Sequence, residues 1–336
     1  MSRQILVTGA AGFIGAAVAE RLVARGDRVI GIDNCNDYYS PSLKRDRIAR
    51  VRAAEGGSRF DFRDVDFSQR DELERALAGC AFTHIVHLGA QPGVRYSLEN
   101  PHAYAQANLI GHLNMLELAR ARRTEHLVYA SSSSVYGASA KVPFSVEDRV
   151  DHPYSLYAAT KKADELMSET YAHLYRLPQT GLRFFTVYGP CGRPDMMPWI
   201  FTGKILRGEP IPVFNGGVME RDFTFIDDIA AGVLAALDHG PADDGLVKPG
   251  GSTAPHAIYN FGNSHPEPLR KVIAIIEEAC GRKAILDLQP MQPGDVPRTF
   301  ADITETERDL GWRPATPVEA GFPWFVQWYR EYHRFA

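Results

Sequence analysis

A glycine-rich turn near the amino terminus limits the possible folds of this chain more than any other feature. The segment GAAGFIG, at Gly9–Gly15, directly follows an apolar run, Gln4–Val7, and opens an amphipathic stretch, Phe13–Arg25. A strand that passes through glycines into a helix presents the free N–H groups of the first helical turn to an anion. Glycine also lets the backbone approach phosphates and lets the helix pack against its strand. The segment therefore predicts a dinucleotide site, with contacts from Gly9, Gly12, Phe13, Ile14 and Gly15.

An acidic residue stands where such a site needs one. Asp33 closes the second apolar run, Arg28–Ile32, about 20 residues beyond the glycine turn. A carboxylate there can accept hydrogen bonds from both ribose hydroxyls of the adenosine and repels a 2′-phosphate. Asp33 is therefore predicted to select NAD over NADP, and its neighbour Asn34 is predicted to contact the same cofactor.

The first half of the chain alternates apolar runs with amphipathic stretches, which predicts a parallel sheet covered on both faces. The predicted strands are Gln4–Val7, Arg28–Ile32, Arg59–Asp64, His84–Leu88, His126–Ala130 and Leu182–Val187. The predicted helices among them are Phe13–Arg25, Pro41–Ala54, Gln69–Ala78, Pro101–Arg123 and Tyr154–Tyr175. The expected fold is an α/β, Rossmann-type, doubly wound parallel sheet over residues 1–190, to which some later segments return. Residues 191–336 are expected to form most of a smaller α/β substrate-binding domain.

Composition excludes several classes of protein. The 336 residues carry a formal net charge of −4, with 45% hydrophobic and 23% charged residues, which is typical of a globular protein and not of a disordered chain. The densest basic stretch, Lys44–Arg52, is interrupted by Asp46 and is interpreted as a solvated helix face, so no nucleic-acid partner is expected. The sequence has no run of about 18 apolar residues, so no membrane span is predicted. The four dispersed cysteines favour the cytoplasm.

Tyr157 and Lys161 are four residues apart and so share one face of the predicted helix Tyr154–Tyr175. A free tyrosine has a pKa near 10 and is a weak base at neutral pH. A lysine ammonium one turn away favours the phenolate, which makes the pair a candidate general base. Four serines, Ser131–Ser134, follow the fifth predicted strand at the edge where α/β sheets bind ligands. Alone, the serine run is better explained as a solvated turn; together with the Tyr157–Lys161 pair it predicts a catalytic crevice.

Seven segments carry a more specific signal: GAAGFIG, GIDNCNDYYSPSLKRDR, HLGAQPGVRYSLENP, YASSSSVYG, SLYAATKKADELM, GLRFFTVYGPCGRPDM and RDFTFIDDI. Through them, and over nearly its whole length, the chain resembles the extended short-chain dehydrogenase/reductase proteins, and among these the UDP-glucuronate 4-epimerases. The resemblance implies an isomerase that keeps NAD bound and recycles it. It also implies UDP-glucuronate or UDP-galacturonate as substrate, and a homodimer formed through Pro101–Arg123 and Tyr154–Tyr175.

The same resemblance assigns roles by position. It implies Ser132, Tyr157 and Lys161 as the catalytic residues. Beyond the glycine turn, Asp33 and Asn34, the implied cofactor contacts are Asp66, Phe67, Leu88, Ala90, Gln91, Asn108, Ser131, Tyr157, Lys161 and Tyr188. The implied substrate contacts are Arg95, Ser132, Ser133, Ser134, Thr186, Arg193, Phe214, Arg221 and Arg298. Arg221 and Arg298 would hold the diphosphate, because guanidinium groups bind phosphate oxygens in pairs; a surface ion pair is the alternative for both.

A uronate substrate sets a further requirement. Oxidation of carbon 4 leaves a ketone β to the carboxylate, which eases loss of CO₂, so an epimerase must hold that carboxylate out of line with the carbonyl π-system. Hydroxyl groups can fix its orientation without relaying a proton. We predict that Ser133, Ser134 and Thr186 hold the carboxylate and that Arg193 steadies the sugar. Each hydroxyl has the alternative role of capping local backbone groups.

Several other functions suit the same fold. A 4,6-dehydratase needs an Asp–Glu pair where Ser133 and Ser134 stand, and a UDP-glucuronate decarboxylase needs a glutamate at Ser134. Epimerases of UDP-glucose or UDP-N-acetylglucosamine share the catalytic residues, but usually carry Asn where Thr186 stands. An NAD-binding scaffold or sensor has no need of an intact catalytic set. No metal site is predicted, since His84 and His87 lie on a buried strand.

Overall fold

The computed structural model describes residues 3–137, 139, 141–291 and 296–335. The strands are β1 (Gln4–Thr8), β2 (Arg28–Asp33), β3 (Phe60–Asp64), β4 (His84–His87), β5 (His126–Ser132), β6 (Gln179–Phe184), β7 (Thr186–Tyr188), β8 (Pro210–Phe214), β9 (Glu220–Phe225), β10 (His256–Phe261), β11 (Pro266–Pro268) and β12 (Ile285–Gln289). The helices are α1 (Phe13–Arg25), α2 (Pro41–Ala53), α3 (Arg70–Ala76), α4 (Tyr96–Glu99), α5 (Pro101–Tyr104), α6 (Gly111–Arg122), α7 (Leu156–Tyr175), α8 (Met197–Arg207), α9 (Ile226–Asp238), α10 (Leu269–Cys280), α11 (Thr304–Leu310) and α12 (Val318–His333).

In the described part of the chain, seven parallel strands form the central sheet in the order β10-β6-β5-β4-β1-β2-β3. The chain builds outward from β1 through β2 to β3, then returns to add β4, β5 and β6 on the other side. The loops after β1 and β4 therefore diverge, and a crevice opens between them at the carboxyl ends of the strands. This confirms the predicted Rossmann-type α/β fold.

The sixth predicted strand is two strands in the structure. Residues of β6 are buried along their whole length between β5 and β10. The chain leaves the main sheet at Phe185, whose N–H donates to the carbonyl oxygen of Phe261 at 3.0 Å. It then forms β7, which pairs with β9 in a second, three-stranded sheet. One continuous segment therefore belongs to both sheets.

The predicted helix Pro101–Arg123 contains an irregular turn. It begins as α5, continues through a π-helical segment, Ala105–Ile110, and ends as α6. Asn108 lies in the widened turn and is buried. A π-helical turn of this kind often marks a functional position, because the widened backbone redirects one side chain.

Apolar side chains pack on both faces of the central sheet. One cluster joins α1, α2 and α9 to the sheet and extends through Tyr188 and Phe322 to the helices of the second half. The other cluster lies under α3, α6 and α7 and includes Met115, Leu116 and Leu127. In the second half, α8, α10 and α12 pack against one another beside the paired strands β8 and β12. No helix in the described residues has the length and apolar character needed to cross a membrane.

Candidate active site

A cavity of about 580 Å³ opens at the carboxyl ends of the central strands. Its wall combines the glycine turn after β1, the loops after β2, β4 and β5, and the face of α7 that carries Tyr157 and Lys161. Thr186, Arg193 and Arg221 come from the second half of the chain. The predicted nucleotide and substrate residues therefore meet in one place, of a size typical for a bound small molecule.

The glycine turn has the shape that a phosphate group requires. Gly9 has a φ of +67°, and a Cβ there would lie 2.8 Å from the backbone nitrogen of Gly89. A Cβ at Gly15 would overlap the carbonyl oxygen of Gly9. Gly12 caps α1 with no side chain over the helix end, so the first N–H groups of the helix remain open to the cavity.

Asp33 has a second role that its sequence position did not reveal. Its carboxylate accepts hydrogen bonds from the N–H of Ala11 at 3.2 Å and of Cys35 at 2.9 Å. It therefore fixes the glycine turn as well as facing the cavity. Burial raises the pKa of Asp33, while Lys44 beside it and the two N–H groups oppose that rise.

The predicted adenine end of the site is held by a short network. Asn34 donates to Asp66 at 3.2 Å, and Asp66 accepts from the N–H of Ser68 at 2.9 Å. Phe67 packs edge-on against the ring of His87, with ring centroids 5.2 Å apart. All three predicted residues, Asn34, Asp66 and Phe67, line the cavity.

Tyr157 lies on the first turn of α7 and Lys161 on the second, and both line the cavity. The helix starts at Ser155, whose hydroxyl accepts the N–H of Ala158 at 3.1 Å. The Lys161 ammonium donates to the carbonyl oxygen of Ala130 at 2.9 Å and to the carboxylate of Asp164 at 3.1 Å. These bonds hold a buried cation next to the phenol.

The serine run divides its hydroxyl groups between the cavity and the protein. Ser132 Oγ accepts from the N–H and from the hydroxyl of Ser134, at 3.2 and 3.0 Å, so its own proton remains for a ligand. The Ser134 hydroxyl donates to Ser132 in this arrangement and would have to rotate to donate to a sugar carboxylate. Ser131 donates instead to Glu165 at 2.6 Å. Ser133 and Thr186 line the cavity.

Asn108 acts from behind the cavity wall. Its amide oxygen accepts the N–H of Gln91 at 2.8 Å, and its amide nitrogen donates to Thr160 at 3.0 Å. Thr160 in turn donates to the carbonyl oxygen of Tyr157 at 2.9 Å. Asn108 therefore ties the loop after β4, with Leu88, Ala90 and Gln91 on its inner side, to the turn that carries Tyr157.

Arg193 is the predicted sugar-binding arginine, and its side chain is already oriented. Its Nε and Nη2 donate to the two carboxylate oxygens of Asp195 at 3.0 and 2.5 Å. Tyr38 donates to the same carboxylate at 3.1 Å. Burial alone would raise the pKa of Asp195, but the Arg193 guanidinium holds it below its ordinary value. The remaining nitrogen, Nη1, is the one left to meet a ligand.

Four of the predicted contacts lie outside the wall of this cavity. In the part of the chain that is described, the cavity wall does not include Arg95, Phe214, Arg298 or Tyr188. Arg95 stacks on the ring of Phe214 at 4.7 Å, and Arg298 pairs with Glu220 at 2.7 Å, the alternative considered for it. Tyr188 is buried in the aromatic core, stacked on Phe322 with ring centroids 4.3 Å apart.

The segment after β2 contributes residues that the sequence interpretation missed. Lys44 and Arg47 were expected on a solvated helix face, yet they are 4% and 1% exposed. Arg47 donates to the carbonyl oxygens of Ala11, Cys191 and Gly192 and to the hydroxyl of Tyr39. It therefore joins the glycine turn to the loop that carries Arg193. The spacing Tyr38-Tyr39 before a basic helix was the available signal, but the partners of Arg47 lie far along the chain.

The histidines of β4 are core residues, as expected. His87 bonds Thr8 Oγ1 at 2.7 Å, and burial lowers its pKa to about 3, with Lys161 adding to the effect. Among the described residues there is no group of three His, Cys, Asp or Glu side chains that could hold a metal ion.

Known proteins with the same architecture were found by sequence and by structure. A family model described as GDP-mannose 4,6 dehydratase matches residues 6–323. UDP-glucuronate 4-epimerase 4 of Arabidopsis thaliana is 47% identical, with 98% of this chain and 76% of the plant protein covered. Protein CapI of Staphylococcus aureus is 46% identical over 98% of this chain and 99% of its own. The solved structure of UDP-glucuronic acid 4-epimerase from Bacillus cereus, in complex with UDP-glucuronic acid and NAD, has a TM-score of 0.86 at 29% identity and covers 98% of this chain and 99% of that chain.

Proposed function

The chain belongs to the GDP-mannose 4,6-dehydratase family of extended short-chain dehydrogenase/reductase proteins, and from this we propose that it is an NAD-dependent UDP-glucuronate 4-epimerase. The reaction interconverts UDP-glucuronate and UDP-galacturonate through a 4-keto sugar. The observation that carries the proposal is the meeting of Tyr157 and Lys161 with Ser132, Ser133 and Thr186 in one cavity. The cavity wall offers a base and hydroxyl groups at positions where a dehydratase or a decarboxylase needs carboxylic acids.

The residues of the cavity fit NAD. The glycine turn would receive the pyrophosphate at the amino end of α1, where Gly12 places no side chain over the first N–H groups. Asp33 would bond the adenosine ribose, Asp66 and Phe67 would flank the adenine, and Lys161 would bond the other ribose. When bound, NAD supplies the acceptor and then the donor for the hydrogen of carbon 4.

Tyr157 is the proposed general base. Its phenolate accepts the proton of the sugar 4-hydroxyl, because the Lys161 ammonium on the next turn offsets the negative charge. Ser132 donates its remaining proton to the same sugar oxygen and so orients it. After the 4-keto sugar turns over in the cavity, Tyr157 returns the proton to the oxygen on the opposite face.

We further propose that Ser133 and Thr186 hold the sugar carboxylate while carbon 4 is a ketone. Both line the cavity near Tyr157, and neither can protonate a leaving group as a carboxylic acid could. Arg193 would meet the sugar through Nη1, since Asp195 occupies its other nitrogens. Arg221 lines the same wall and would bind the diphosphate.

The family name raises the question of dehydratase chemistry. Elimination of water from a 4-keto sugar needs a carboxylic acid and a base beside the reacting carbons. Here Ser133 and Ser134 occupy the predicted acid–base positions, and the Ser134 hydroxyl is bonded to Ser132. An epimerase needs no such groups, so the serines favour it over a dehydratase or decarboxylase.

The proposed assembly is a homodimer through α6 and α7. Leu113, Leu166 and Leu174 project from these helices with 37%, 57% and 61% of their surface exposed. A second copy of this chain would cover them. The dimer predicts that Leu166→Glu with Leu174→Glu gives a monomer in light scattering.

All four cysteines are free thiols, which supports a cytoplasmic location.

The function is tested by incubating the purified protein with UDP-glucuronate, UDP-glucose and UDP-N-acetylglucosamine in parallel, with no added cofactor. The expected result is UDP-galacturonate from the first substrate and slower or no conversion of the others. The matched control is Tyr157→Phe. A UDP-pentose as main product, or faster conversion of a neutral sugar, would contradict the proposal.

A further inference from the structure

Asp164 is a buried carboxylate in contact with the lysine of the catalytic pair. The side chains of Lys161 and Asp164 are 3% and 1% exposed, and Nζ lies 3.1 Å from Oδ2. In the described residues, the other carboxylate oxygen, Oδ1, is buried without a hydrogen-bond partner. A buried carboxylate with one oxygen unsatisfied is poorly stabilised as an anion. Its charge therefore depends on Lys161.

We propose that Asp164 is a positioning residue that competes with Tyr157 for the positive charge of Lys161. One ammonium can offset one negative charge well. When Asp164 is ionised, the Lys161–Asp164 pair is neutral and the Tyr157 phenolate receives less stabilisation. When Asp164 is protonated, the full charge of Lys161 acts on the phenol.

The side chains that face Asp164 from neighbouring elements do not supply another cation. Burial lowers the pKa of His87 on β4 and of His112 on α6, so both are neutral near pH 7. Burial raises the pKa of Tyr129 on β5, which keeps it neutral as well.

The other cations near Asp164 are paired with Glu165. Glu165, next to Asp164 on α7, is paired with Arg183 of β6, whose Nε lies 2.8 Å from its Oε1. Lys162 lies 3.3 Å from the other oxygen of Glu165. Lys161 is therefore the cation in direct contact with Asp164.

Asp164 changes its charge near neutral pH, where an enzyme of this kind works. Burial raises the pKa of Asp164 to about 7, although Lys161 opposes the rise. Near neutral pH Asp164 therefore exchanges its proton, and each change in its charge alters how strongly Lys161 stabilises a negative charge on Tyr157. Because both groups interact with one ammonium, the charge state of either affects the other.

The first test is the pH dependence of turnover in Asp164→Asn, which rests on the proposed epimerase function. Asn keeps the shape and an oxygen acceptor for Lys161 but carries no charge. We expect the acidic limb of kcat to move to lower pH by about 0.5 to 1 unit, as one charge several ångströms away predicts. KM and the NAD content should stay unchanged. Asp164→Leu, which also removes the acceptor, should lose NAD.

A purely structural role for Asp164 gives a different result. The Asn variant would then lose NAD or lower kcat equally at every pH, with the profile in its original place, and the proposal would be overturned.

The second test does not depend on the substrate. The carbonyl stretch of the protonated Asp164 carboxyl is isolated by subtracting the infrared spectrum of NAD-loaded Asp164→Asn from that of the NAD-loaded protein, at each pH. Asp164→Ser provides the same subtraction if the Asn variant does not fold. In Tyr157→Phe, where the competitor is gone, this band should disappear at lower pH.

The two tests separate the proposals. A protein that converts no UDP-sugar refutes the epimerase function and leaves the infrared test intact. An Asp164 band that titrates identically with and without the Tyr157 hydroxyl refutes the competition, whatever the substrate.

Discussion

Glu165→Gln tests how the wall of the active site is held. The Glu165 carboxylate accepts Nε and Nη2 of Arg183 at 2.8 and 2.9 Å and the hydroxyl of Ser131 at 2.6 Å, all buried. Burial alone would raise its pKa, but Arg183 lowers it from 4.5 to about 2. That drop corresponds to about 3 kcal/mol of stability at pH 7, since each pH unit is worth about 1.4 kcal/mol. Breaking one partner of a buried pair costs a similar amount, about 3–5 kcal/mol.

The assay is urea unfolding of both proteins at fixed NAD concentration, since a ligand that binds only the folded state shifts the transition. Because the folded pKa is depressed, the stabilisation is present above pH 4.5 and is lost as the pH falls toward 2. The difference between the proteins should therefore be constant from pH 6 to 8 and shrink below pH 4.5. Glu117→Gln, at a largely exposed pair with Arg120, is the control and should cost much less. A Glu165→Gln loss under about 1 kcal/mol, or one that persists unchanged at low pH, refutes the reasoning.

Three further predictions concern the cavity. Tyr157→Phe should retain NAD and nucleotide sugar but lose turnover by about 10³-fold or more, and near-normal epimerisation would remove Tyr157 as the base. Asp33→Ala should admit NADP and also weaken cofactor retention, because the N–H of Ala11 loses its partner; analysis of the extracted cofactor decides this, and NADP as main cofactor of the unaltered protein contradicts it. Ser133→Ala with Thr186→Val should leak a UDP-pentose from UDP-glucuronate, and clean epimerisation at the normal rate would exclude these hydroxyls as the carboxylate site.

Local sequence patterns predicted most strands and helices of the nucleotide-binding part, because hydrophobic periodicity and turn chemistry depend on residues that are close in sequence. The glycine turn, Asp33 and the Tyr157–Lys161 spacing all lead into one cavity. The break at Phe185 was missed, since an apolar run looks the same whether it stays in one sheet or passes between two. The strand β10 was missed because its polar residues are buried; Asn260, for example, donates to the carbonyl oxygens of Phe144 and Asp302.

Charged residues were harder to place. Arg47 has the composition of an exposed helix face, and only folding brings it to Cys191 and Gly192, about 145 positions away along the chain. Arg298 has the chemistry of a phosphate ligand, yet an isolated backbone bridge to Glu220 brings its guanidinium to the Glu220 carboxylate. Both outcomes depend on long-range contacts that spacing does not encode.

The order of strands in the central sheet has a consequence for synthesis. Strand β6 has been fully synthesised at residue 184, but β10, which pairs with its outer edge, begins only at residue 256. Until then a fully buried strand has an open edge, which is the kind of surface on which nascent chains pair wrongly with one another. A fragment that stops at residue 190 keeps that edge exposed, so we expect the nucleotide half expressed alone to aggregate. About half of the chain beyond residue 190 must be synthesised before β10 can complete the central sheet.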